Sequence, residues 1–157
     1  MKIKTTLLKL VTAGIDAFVL LFSLMLILGL YTSLRDHSVV PFQITTIIAL
    51  IATCLVVFVI SFFLFKIFHL IDQHNFFTQQ ALHFVRTVRY LFITASITLA
   101  GILPFVYYSA KHGDAPGVMF IAFAFVLVPL AIAAFISVME KILINSIKFK
   151  QENELTI

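Results

Sequence analysis

Apolar residues fill four long stretches of this chain, and charged residues are confined to the short segments around them. Residues 17–34, 38–65, 90–110 and 115–139 contain no Asp, Glu, Lys or Arg. A hydrocarbon core of roughly 30 Å needs about 20 apolar residues in helical form. Three of the runs meet that length outright, and the first reaches it by starting near Val11. In lipid every backbone N–H and C=O must be satisfied within the element, so such runs become helices. The pattern predicts one all-α transmembrane domain over residues 1–157, a four-helix bundle with spans near 10–33, 43–66, 89–109 and 117–139.

The segment from Lys66 to Arg89 has a different rhythm. Span two is expected to continue helically to about Gln73, break at His74 and Asn75, and restart after Thr78. The Thr78 hydroxyl suits an N-cap, accepting from the N–H of Gln80 or Ala81. Leu82, Val85, Val88 and Phe92 then recur at helical spacing, with Gln79, Gln80, His83, Arg86 and Thr87 opposite. This is an amphipathic helix leading into span three, with Phe76 and Phe77 at headgroup level. One reading makes it an interfacial anchor with Arg86 and Arg89 on lipid phosphate; the other makes it a docking surface.

Charge sets the orientation. Lys2, Lys4, Lys9, Lys66, Arg86, Arg89, Lys141, Lys148 and Lys150 lie on one side of the spans, against Arg35 and Lys111 on the other. Short loops rich in Lys and Arg stay in the cytoplasm, so both termini and the central loop are expected inside. Span one reads as a retained signal anchor, because its apolar run is long and no A-x-A site follows Gly29. Tyr31, Tyr107 and Tyr108 make an outer aromatic belt and Tyr90 an inner one.

Pro104 and Pro129 are expected to bend spans three and four, each removing an N–H and crowding the carbonyl four residues back. Thr94, Ser96, Thr98, Ala100 and Gly101 allow close helix approach in span three, with span four and its Ala131, Ala133 and Ala134 as the expected neighbour.

Composition excludes a soluble domain: mean hydropathy is +1.12 and only 11% of residues are charged, against about 25% in soluble domains. A single cysteine, Cys54, rules out an internal disulfide. The net charge of +4 hugs the span ends, which points to membrane lipids as partners and not to direct nucleic-acid binding.

Chemistry is sparse. Asp16 is the charged residue placed within a span, and intramembrane carboxylates are functional candidates by default. It is expected to be a polar tether to Lys9, Arg86 or Arg89, since a proton relay needs a second ionisable group at depth and spans two to four offer only Cys54. The five histidines lack metal-ligand spacing. A cluster of Asp36, His37, His112 and Asp114 across the outer hairpins is weighed against simple solvation, which is preferred. No catalytic residue, cofactor or metal site is expected, and the chain is not read as an enzyme. Glu152, Asn153 and Glu154 form an acidic tail that is either a solubilising end or a grip for a partner.

The pattern Phe76-Phe77-Thr78-Gln79-x-x-Leu82-x-x-Val85-Arg86-x-x-Arg89 resembles that of a bacterial family, domain of unknown function 2975. Asp114-Ala115-Pro116-Gly117 and the chain end Gln151-Glu152-Asn153-Glu154-Leu155-Thr156-Ile157 carry the same resemblance, with Glu154 where that family has Asp. The resemblance implies four spans in a bacterial cytoplasmic membrane. It also implies a small helix-turn-helix regulator encoded alongside, hence a membrane partner for a transcription factor, and it brings no enzymatic activity. Gln79, Gln80, His83, Arg86, Arg89, Glu152, Asn153 and Glu154 are then the expected partner-binding residues. Two other readings stay open: an immunity or stress-response protein acting on an extracellular peptide or lipid, and a small transporter or channel subunit. Self-association into a homo-oligomer stays open as well.

Overall fold

Uninterrupted apolar sequence gives uninterrupted helix. The computed structural model describes residues 2–35, 42–73, 76–113 and 115–154. They form α1 (Lys2–Arg35), α2 (Gln43–Asp72), α3 (Gln79–Ala100), α4 (Leu103–His112) and α5 (Gly117–Glu154), and no strand occurs among the described residues. Four stretches are long and apolar enough to cross a membrane: Thr5–Arg35, Gln43–Asp72, Gln79–His112 and Gly117–Glu152. The helices outlast the apolar runs, α2 ending at Asp72 and α5 at Glu154. At 1.5 Å per residue α5 is about 57 Å long, nearly twice the hydrocarbon thickness. The excess lies where Lys66, Arg86, Arg89 and Lys141 cluster, here termed the basic end.

The helices stand in a row, α1 against α2, α2 against α3, and α3 against α5, with α4 resting on α5 and touching α2. Only 6% of the apolar stretch of α1 is buried inside the protein, against 28% for α2, so α1 is an edge helix. Its less exposed positions recur in steps of four and three from Thr5 to Ser33, while Leu7, Phe18, Met25 and Leu28 face outward. That 3.5-residue seam is coiled-coil packing, with small and polar residues inside, as lipid-solvated helices favour. Polar contacts fasten it, Thr5 and Lys9 both meeting Asp72. Lys9 Nζ pairs with Asp72 Oδ2, Ser61 Oγ donates to Asp16 Oδ1, and Gln43 Nε2 donates to Ser33 Oγ at 2.9 Å.

At the basic end Ile60, Ile67, Leu70, Ala81, Val85, Val88, Leu143 and Ile147 form one buried cluster drawn from α2, α3 and α5. Leu82 and Phe92 pack on it. The apolar face of the amphipathic segment is therefore turned onto neighbouring helices, which corrects the reading of an interfacial anchor. Helical periodicity shows that a face is buried without saying what covers it. Thr78 caps α3 as expected, its hydroxyl accepting from Ala81 N at 3.3 Å. The expected break at His74 and Asn75 lies outside the described residues.

The small residues of α3 serve two neighbours, not span four alone. Ser96 Oγ donates to Val126 O of α5 at 2.7 Å, whereas Thr53 of α2 donates to Thr98 Oγ1 at 2.9 Å. A Cβ on Gly101 would stand 2.7 Å from the Cβ of Ala49, so glycine is needed there for α2 to approach. Pro104 breaks the third span where a bend was expected. The helix stops at Ala100, turns through Gly101 and Ile102, and restarts with Pro104 in the first turn of α4, where its missing N–H is not needed. Pro129 lies within the continuous α5.

Candidate functional site

The polar groups of the basic end are held by α2, α3 and α5. On α3, Gln79, Gln80, His83 and Arg86 are exposed along one strip. Arg89 is not part of that open face: its side chain is 21% exposed and reaches toward Glu140 of α5. Arg86 Nε donates to Glu140 Oε1 at 2.9 Å. Arg89 Nη1 lies 2.7 Å from Oε2, a close charge contact although no N–H is aligned on that buried oxygen. A carboxylate buried to 5% exposure thus sits between two guanidinium groups.

Helix register gives the depth of this cluster. Phe63 of α2 meets Phe84 of α3, and Thr53 meets Thr98, so Arg89 stands near the height of Ser61. Ser61 is the residue that holds Asp16. Two corrections follow. Asp16 is tied to a hydroxyl of α2, while Lys9 goes to Asp72 and Arg86 and Arg89 go to Glu140. Asp16 is also not the lone charge at its height, because Glu140 and Arg89 accompany it on the other side of the row. Sequence carried a signal for Glu140: it falls in step with Ala133, Leu143 and Ile147, the inward positions of α5. An acid on an inward face calls for basic partners, and Arg86 and Arg89, three residues apart on α3, supply them.

Lys66 is placed differently. Its ammonium lies 4.5 Å from the ring centre of Phe62, 5.4 Å from that of Phe84 and 5.7 Å from that of Phe63. Phe62 and Phe84, but not Phe63, border an open cleft of about 370 Å³ between α2 and α3, whose polar lining is Lys66, His69 and Gln80. A second cleft of about 380 Å³ between α3 and α5 lies beside Arg89, with Leu130, Ala133 and Ser137 on its α5 wall. Arg89 also stacks over Tyr90 at 4.8 Å.

Glu152 is exposed near the end of α5, and for Asn153 and Glu154 the backbone alone is described. Residues 155–157 lie outside the described residues, as do Asp36, His37 and Asp114, so the outer His and Asp cluster is not placed. Among the described residues no three His, Cys, Asp or Glu side chains converge.

Four spanning helices, lipid-type packing and a charge-paired basic end define a multi-pass helical membrane protein. The chain belongs to the family described as "Protein of unknown function (DUF2975)", which matches residues 5–157. It is similar to the uncharacterized membrane protein YoaS of Bacillus subtilis (strain 168), with 32% identity over 93 residues. That similarity covers 59% of this chain and 58% of the relative's length. No solved structure matches.

Proposed function

We propose that the protein is a non-enzymatic platform of the bacterial cytoplasmic membrane, with both termini inside, which docks a small helix-turn-helix DNA-binding protein on its basic end. The observation that carries the reading is the buried cluster shared by α2, α3 and α5. It extends the bundle beyond the apolar runs and fixes Gln79, Gln80, His83 and Arg86 on a rigid exposed strip. Phe77, half exposed, borders that strip, and a polar strip with aromatic neighbours suits a protein interface. Placement inside follows from the Lys and Arg bias of the short loops.

The test is affinity purification from native membranes in mild detergent. A small helix-turn-helix protein is expected to co-purify, and Gln79→Glu with His83→Glu, combined with removal of residues 152–157, is expected to release it. Arg86 is spared in this variant because it holds Glu140. Retention by the altered protein, or recovery of no such regulator with the unaltered one, overturns the reading.

A further inference from the structure

We propose that the cleft between α2 and α3 at Lys66 is a binding site for an anionic phospholipid, with the headgroup phosphate on Lys66, His69 and Gln80 and an acyl chain along Phe62 and Phe65. Among the described residues, Lys66 shares with Lys141 the lack of a carboxylate partner and differs from it in resting on aromatic rings. Lys9, Arg86 and Arg89 each face a carboxylate, of Asp72 or Glu140. Lys66 has no carboxylate within ion-pair distance among the described residues, and rests on the faces of three phenylalanines. A cation over aromatic faces keeps its charge and its three N–H donors available on the outward side.

Position within the membrane supplies the second argument. Lys66 is the first charged residue after the 38–65 run, so it stands where α2 leaves the hydrocarbon. Phe62, one turn deeper, is 57% exposed, and Phe65 and Phe84 complete an apolar wall on that side. Gln80 and the Nδ1 of His69, whose Nε2 is engaged with Gln73 at 2.9 Å, lie on the other side of the ammonium and can add donors for phosphate oxygens. The cleft is thus apolar toward the membrane interior and cationic at its rim, the order of chemistry along a phospholipid. A basic pocket between spanning helices on the cytoplasmic side, where the proposed orientation puts this end, is the form that headgroup recognition takes. The cleft near Arg89 lacks this feature, since its guanidinium already neutralises Glu140. The inference rests on the orientation proposed above but not on the docking reading: it shares Gln80 with that strip, and the residue its test alters, Lys66, is not part of it.

The full-length protein, purified and delipidated in mild detergent, is to be offered equal amounts of phosphatidylglycerol and phosphatidylcholine, and the retained lipid counted by native mass spectrometry. The unaltered protein is expected to retain phosphatidylglycerol in preference. Lys66→Gln is expected to lower that preference about fivefold, the factor one lysine contributes at an anionic surface. Lys66→Arg keeps the preference and serves as the folding control. Lys141→Gln, at an exposed lysine of α5 outside the cleft, also keeps it. Preference unchanged in Lys66→Gln, an equal fall in Lys141→Gln, or a fall in Lys66→Arg matching that of Lys66→Gln overturns the site. Displacement of the lipid by millimolar glycerol phosphate assigns the cleft to a soluble anion and overturns the lipid.

Discussion

Glu140 has two guanidinium partners and Asp16 a single hydroxyl, and the loss of each charge has different consequences. Removing one member of a buried ion cluster leaves the others desolvated without compensation, which typically costs about 3–5 kcal/mol. Arg86 is 49% exposed on its side chain and can turn to water, so Glu140→Ala is expected to destabilise by less, about 2–3 kcal/mol. Urea or thermal unfolding in detergent measures this, and a change below about 0.5 kcal/mol would show that the cluster does not brace α3 against α5. Asp16→Asn retains an oxygen to accept from Ser61. Its unfolding midpoint and membrane level are therefore expected to match those of the unaltered protein. A large fall in either would mean that the charge itself is needed.

Among the elements, α3 is packed between α2 and α5, and its two faces were legible to different degrees. The alternation of Leu82, Val85 and Val88 with Gln79, His83 and Arg86 made an amphipathic helix plain. That the apolar side meets Ile67, Leu70 and Leu143 was not legible, because the same pattern suits a headgroup layer as well as a helix neighbour. Glu140 was hidden by its position one residue past an apolar run, and only the inward period of α5 gives it away. The approach of α2 to α3 at Gly101 can be tested directly. Gly101→Ala drives a Cβ into that of Ala49, an overpacking expected to cost about 1–3 kcal/mol. Adding Ala49→Gly removes the colliding atom. The double variant is therefore expected to be more stable than the sum of the two single effects, as measured in a double-mutant cycle. Additive losses would mean that the helices do not meet there.

Across the whole molecule, the four spans followed directly from chain lengths in lipid, whereas their order in a row did not, since lipid-facing and protein-facing apolar residues look alike in sequence. Orientation is the property that charge alone proposes. A reporter active only outside the membrane is expected to be active when fused at Asp36 or Gly113 and silent at Gln73 or after Ile157. Activity at the last position would reverse the topology.

The Glu140 clamp also bears on how α5 can move. Mechanically, α5 is a rod that lacks one backbone N–H at Pro129 and is tied to α3 on both sides of it, by the pair of arginines eleven residues farther on and by the Ser96 hydroxyl on Val126 O three residues before. The charged tie is the stronger of the two, so any bend at Pro129 would be expressed in the other half and would load the Ser96 hydrogen bond. A bend of about 10° at Pro129 displaces Gly117, about 18 Å away along the axis, by roughly 3 Å. The basic half, with the exposed strip of Gln79, Gln80, His83 and Arg86 opposite on α3, stays in register.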